Sequence, residues 1–300
     1  MKHRTVLGRL ALWLTAFLWG TSFVILKNTL SSIGVLWLLS FRFLGAALIL
    51  TLAAGKRLLS LDRRTIRGSI LMGLCLALAY LFQTYGLAFT TPGKNSFLTA
   101  VYCVMVPFLA WAIYHRRPKA IHVLAAVLCL CGIGLVSLDG FGGGLNAGDI
   151  LTLVCGFFYA MQIIVMEHYI HGGEGDALSI SAIQFCVTAV PCFLGALLFE
   201  PFPVGLDVSI WLTLLYLSTV VTALCFFLQA LGLRDTPSTT ASVILVFESV
   251  FGVLTSLLFY GERMTLQLGL GFSLIFLSVL LVEAGDAIVE KLRRWKQRHH

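Results

Sequence analysis

YLFQTYGLAFTTPGKNS (80–96) and FFLQALGLRDTPSTTAS (226–242) are the two stretches whose comparison decides the fold. Laid over one another at a separation of 146 residues, they share Gln83 with Gln229, Gly86 with Gly232, Leu87 with Leu233, Thr90 with Thr236 and Ser96 with Ser242. The register continues without a gap over 80–136 and 226–282, adding Val104/Val250, Tyr114/Tyr260, Arg117/Arg263 and four Leu or Val matches. Leu and Val coincide often in apolar sequence, so the Gln, Gly, Thr, Tyr and Arg identities carry the signal. The chain reads as an internal duplication.

The composition says what is duplicated. Of 300 residues, 59% are hydrophobic and 12% charged, with a mean hydropathy of +0.94. A soluble domain has roughly 45–50% apolar and about 25% charged residues, so this chain lacks the polar atoms to coat a water-facing surface. Apolar runs of spanning length fall at 8–27, 35–54, 68–89, 95–114 and 119–138, and again at 149–170, 178–199, 208–232, 238–260 and 265–284. Ten spans leave only short loops and no room for a soluble catalytic domain. A cytosolic enzyme, a nucleic-acid binder and a disordered scaffold are set aside, and the lipid bilayer is the expected surroundings.

Basic residues fix the orientation. With the N-terminus inside, the inner segments carry 17 Lys and Arg, the outer ones carry Lys27, Lys94 and Arg263, and Arg42 stays within a span. This bias predicts N-in and C-in. Five spans per repeat is an odd number, so the second copy enters the membrane in the opposite sense. The fold class expected is therefore an all-α polytopic membrane protein: ten transmembrane helices as two inverted five-helix repeats, at 1–142 and 143–288. A basic tail follows at 289–300, lying on the anionic inner leaflet or solvated. Inverted repeats let two halves exchange roles around a shared site.

Other features read as structural. The N-terminus resembles a signal peptide, but its apolar run continues to Leu26 without a small-residue cleavage site, giving an uncleaved first span. Eight cysteines lie inside apolar segments without a C-x-x-C pair, as small buried hydrophobes and not as metal ligands. The connector DGFGGGLNAGD (139–149) lacks the G-K-[ST] of a phosphate loop, so direct ATP drive has no support. Trp13, Trp37 and Trp211 are expected in the interfacial belt. Small residues at Gly132, Gly134, Gly269, Gly271 and Ser273 predict close helix approach, either between helices 5 and 10 of one chain or in a homodimer.

FLWGTSFVILK (17–27), FRFLGAALIL (41–50), TTPGKNSFLTAVYCVMVPFLAW (90–111), GDILTLVCGFFYAMQIIVMEHY (148–169) and SVILVFESVFGVLTSLLFYGER (242–263) follow one another in an order and spacing that resembles the drug/metabolite transporter superfamily, EamA type. The resemblance covers essentially the whole chain. One departure is that the ninth-helix Glu is commonly followed by Pro in that family, whereas Ser249 follows Glu248 here. The resemblance implies a secondary carrier with a central cavity, exporting small metabolites or amphipathic compounds across a bacterial inner membrane.

Glu248 sits near mid-span, where a charge costs at least ~2.5–3.5 kcal/mol on insertion scales. It reads as a proton-coupling or amine-binding carboxylate in a wet cavity, or as a protonated structural residue. Arg42 is the one basic residue deep in a span; it could pair with Glu248, bind a substrate carboxylate, satisfy backbone carbonyls or snorkel outward. Gln83 and Gln229 are repeat-related candidates for the cavity or for interhelical packing. Tyr102 corresponds to Glu248 across the repeat, and Trp19, Tyr159 and Gln162 are cavity walls or packing residues. No H-E-x-x-H, G-x-S-x-G or buried carboxylate pair supports an intramembrane enzyme, and no catalytic residue, metal site or cofactor is assigned. A phosphate would require two or more buried cations, so sugar-phosphate or nucleotide-sugar exchange is the runner-up to export of amino acids, related amphipathic compounds or drugs. Proton antiport through Glu248 is the expected energy source, with facilitated diffusion as the alternative.

Overall fold

The computed structural model describes residues 2–115, 117–138, 146–169, 176–235 and 238–298; within these, the side chains of 2–5, 137–138, 167, 177, 230, 233–235, 238–243 and 283–298 are left aside. The described residues are helical, without a strand. In chain order come α1 (Lys2–Thr29), α2 (Val35–Ala54), α3 (Arg63–Phe89), α4 (Pro92–Ala100), α5 (Tyr102–Tyr114) and α6 (Ala120–Leu138). The second half holds α7 (Ala147–Tyr169), α8 (Ala177–Phe199), α9 (Val208–Tyr216), α10 (Cys225–Asp235), α11 (Ser238–Thr255) and α12 (Leu266–Arg298). Seven helical stretches among the described residues are long and apolar enough to cross a membrane, and three shorter apolar helices run Ala120–Val136, Ile244–Tyr260 and Leu266–Val282.

Local sequence explains where helices start and break. Asp62 caps α3 by accepting from the backbone N–H of Arg64 and Thr65, and Thr91 caps α4 with Pro92 behind it. Of the TTPGKN stretch, expected as a turn, only Thr90 and Thr91 connect the helices; Pro92 to Asn95 are already in α4. Val101 interrupts the next apolar segment, and Pro107 inside α5 removes one rung of its ladder. A π-helical turn, Leu217–Leu224, joins α9 to α10, and a second, Ser256–Tyr260, ends the α11 segment.

The surface is apolar and the interior holds polar groups. Leu48, Leu52, Leu130, Leu198, Leu212 and Leu258 are exposed, whereas Arg42, Asn95, Thr152, Gln184 and Thr188 are buried. Such a surface suits hydrocarbon and not water. The main packings are α3 on α7 and α8, α2 on α8, α1 on α10 and α11, α4 and α5 on α7, α4 on α11, and α6 on α12. Close crossings rest on glycine. A Cβ on Gly148 would lie 2.6 Å from the Gly86 carbonyl oxygen, and one on Gly132 2.8 Å from that of Gly271. The α6–α12 approach thus lies within one chain, while Gly134 faces open space.

Two local expectations need correction. Trp37 is not an interfacial residue: it is 3% exposed, enclosed by Phe41, Phe193 and Phe202. Cys131 and Cys186 are exposed on the apolar surface while Cys103, Cys129, Cys155, Cys192 and Cys225 are buried. A small sulfur side chain suits lipid contact as well as a core. The glycine-rich connector at 139–145, Thr236–Pro237 and the side chains of the basic tail lie outside the described residues.

Candidate substrate cavity

One end of the bundle is closed by side chains that cap helix termini of other elements. Lys27 donates from Nζ to the carbonyls of Leu87 (2.7 Å), Ala88 (2.9 Å) and Thr90 (2.9 Å) at the end of α3. Glu200 accepts from the backbone N–H of Leu36 (3.0 Å) and Trp37 (3.1 Å) at the start of α2. Glu262 accepts from Gly93 N–H (3.1 Å) and from the hydroxyls of Thr91 and Ser256 at the start of α4. Each pairing puts a charge on the helix end of opposite polarity. At the other end Arg57 and Asp176 approach to 3.7 Å, and Arg64 donates to the His168 carbonyl at 2.7 Å.

Between the ends lies a cavity of about 800 Å³ that reaches the Arg57–Asp176 end and stops at the level of Leu26 and Gln83 toward Lys27. Trp19, Arg42, Gln83, Tyr102, Tyr159, Gln162, Gln229 and Glu248 all border it. Eight residues from seven helices thus meet in one space. Some of its polar groups bond to one another: Tyr159 donates to Gln83 Oε1 at 3.3 Å, and Gln83 Nε2 donates to Thr99 Oγ1 at 3.2 Å. Behind them Asn95 Nδ2 donates to the Gln83 carbonyl and to Thr152 Oγ1, linking α3, α4 and α7.

Arg42 and Glu248 border the same cavity without pairing; among the described residues the one ion pair is Arg57–Asp176. Arg42 is 2% exposed, which rules out snorkelling. Its Nε donates to Thr222 Oγ1 at 2.8 Å, in the π-helical turn, and its guanidinium carbon lies 4.8 Å from the Tyr80 ring centroid. In the same turn the Val221 carbonyl accepts from Trp19 Nε1 at 2.9 Å. π-turns recur at functional sites.

Sequence reasoning missed Tyr80, Gln184, Thr222 and Phe226. Tyr80 and Phe226 border the cavity and stand 146 residues apart, in the register that matched Gln83 to Gln229; that alignment held the signal. Tyr159 packs on Tyr80 with centroids 5.6 Å apart, and Trp19 packs on Phe226 at 5.3 Å. No group of three or more His, Cys, Asp or Glu among the described residues is placed to hold a metal ion.

An apolar-surfaced helical bundle around a cavity of mixed polar and aromatic character is the build of a membrane transport protein. The chain belongs to the EamA-like transporter family, which matches it twice, at residues 6–138 and 146–284. It is therefore a multi-pass protein of the cell membrane. An uncharacterized transporter of Archaeoglobus fulgidus is 30% identical over 275 residues, covering 91% of this chain and 84% of the relative. The uncharacterized transporter YvbV of Bacillus subtilis is 26% identical over 290 residues, covering 94% and 92%. A solved crystal structure aligns over 93% of this chain and 97% of its own with a TM-score of 0.65 at 17% identity, a likeness of fold alone.

Proposed function

We propose that the protein is a secondary-active exporter of small amphipathic metabolites, amino acids or related compounds among them, or of drugs. It works by alternating access between two inverted five-helix repeats at 1–142 and 143–288, with both termini and the basic tail inside. The carrying observation is the cavity itself, closed at the Lys27 end and open toward the Arg57–Asp176 end, which under N-in topology is an inward-facing carrier.

The helix packings support the repeat. Exchanging α1 with α7, α2 with α8 and α3 with α10 turns the α3–α7 packing into α10–α1 and leaves α2–α8 unchanged. The crossing of Gly86 on Gly148 and Thr152 has its counterpart in Gly232 on Gly8 and Leu12. An inverted repeat whose halves are in unequal conformations opens to one side at a time.

Glu248 is the coupling group. A carboxylate at mid-span beside the cavity can hold a proton or face the substrate, so the carrier alternates between protonated and substrate-bound forms. Cavity chemistry favours neutral, zwitterionic or weakly cationic substrates over phosphates, because Arg42 is the one basic residue at this depth. A facilitative exchanger of sugar phosphates is the less favoured reading, and enzymatic chemistry has no reactive set to support it. In everted membrane vesicles, energised uptake of the exported compound should collapse on adding an uncoupler. Uptake that ignores the proton gradient would replace antiport with facilitated diffusion.

A further inference from the structure

Two residues that border the cavity each hold a buried nitrogen atom without a hydrogen-bond partner, Arg42 Nη1 and Gln184 Nε2. The residues are 2% and 3% exposed. Leaving such donors unmade costs about 1–3 kcal/mol each, more for a charged group, so a native protein keeps them where something else completes the bond. The two sit at matching places. Arg42 precedes Phe43 on α2 and Gln184 precedes Phe185 on α8, and the two phenyl rings stack with centroids 5.8 Å apart.

The rest of the Arg42 surroundings prepare it for an anionic oxygen. Thr222 Oγ1 takes Nε and its own hydroxyl is fixed on the Leu217 carbonyl at 2.8 Å. Tyr80 and Phe43 face the guanidinium at 4.8 and 5.6 Å, a stabilisation that needs no hydrogen bond. No carboxylate neutralises it at contact distance, since Glu248 is unpaired with it. One edge of the guanidinium is anchored and the Nη1 side is unmet.

We infer that Arg42 is the anion-recognition point of the cavity, binding the carboxylate of a zwitterionic amphipathic ligand whose apolar body lies along Trp19, Tyr80 and Phe226. Thr222 is a positioning residue that holds the guanidinium plane. A carboxylate fits and a phosphate does not, because one guanidinium matches a single negative charge. The inference rests on the carrier reading only in taking the cavity as the ligand site.

The test is equilibrium binding by calorimetry of the full chain in lipid nanodiscs, with 3-phenylpropionate, its uncharged amide and 2-phenylethylamine as probes. The wild type should prefer the carboxylate to the amide by about tenfold or more. Arg42→Gln should bring that ratio close to one while leaving amide affinity within about twofold, which also shows that the variant is folded. Thr222→Val should weaken the carboxylate several-fold and spare the amine. A wild type that does not bind 3-phenylpropionate, or does not distinguish it from the amide, overturns the proposal, as does unchanged selectivity in Arg42→Gln. Arg42-dependent selectivity in a protein that moves nothing across a membrane would instead refute the carrier reading and leave this site standing.

Discussion

Phe43 stacks on Phe185 at the centre of the bundle, ring centroids 5.8 Å apart and planes 13° from parallel, both side chains 0% exposed. Contacts run outward from this pair in matched steps: Phe43 to Tyr80 to Tyr159 on one side, Phe185 to Phe226 to Trp19 on the other. The six rings come from α2, α3 and α7, then from α8, α10 and α1. If the stack is the structural centre, Phe43→Ala and Phe185→Ala should each destabilise by about 3–5 kcal/mol. A double-mutant cycle on unfolding in detergent should then show a coupling of about 0.5–1.5 kcal/mol.

Glycine substitutions should separate helix crossings from open surface. Gly148→Ala places a Cβ against backbone alone, 2.6 Å from the Gly86 carbonyl oxygen and 2.8 Å from Thr90 N, so α3 and α7 must part. Gly134→Ala meets nothing within 4 Å and should stabilise α6 by about 0.5–1 kcal/mol. Thermal unfolding of the purified variants should move in opposite directions.

Lys27→Met leaves three carbonyls at the end of α3 without their donor. A loss of about 1–3 kcal/mol is expected, read as a lower denaturation midpoint. The closed end should also loosen, so an impermeant maleimide applied from outside should label Gln83→Cys faster in the Lys27→Met background than with Lys27 intact.

Asp62, exposed at the start of α3, has its carboxyl held below the usual range by hydrogen bonding from Thr65 and from the backbone N–H of Arg64 and Thr65. A depressed folded pKa means its contribution is present above the unfolded value, near 3.9, and is lost as pH falls through the folded one. Asparagine still caps but does not titrate. The denaturation midpoints of wild type and Asp62→Asn should therefore differ little below about pH 3 and diverge, with the wild type higher, as pH rises past the carboxylate range.

Much of the cavity was legible because polar residues inside apolar spans are rare. Glu248, Arg42, Gln83 and Gln229 announce themselves. Tyr80 and Phe226 were hidden because an aromatic residue in an apolar helix has no mark that separates cavity wall from packing. Gln184 hid among the polar residues at the start of its span, and its match to Arg42 needs a spacing of 142 residues, not 146. Lys27, Glu200 and Glu262 look like ordinary loop-end charges, and only the folded chain brings each to the terminus of another helix. The Leu217–Leu224 π-turn has no sequence signature, so the place of Thr222 beside Arg42 could not be read.

Export through the cavity that Glu248 borders can be read directly from the medium. Untargeted mass spectrometry of the medium should compare cells producing the wild type, Glu248→Gln and empty vector, at matched membrane expression. A carboxylate-bearing amphipathic compound should be enriched outside with the wild type, with enrichment lost, or no longer dependent on external pH, in Glu248→Gln. Media indistinguishable between wild type and vector would contradict export, and a compound exported equally by Glu248→Gln with unchanged pH dependence would contradict the coupling role.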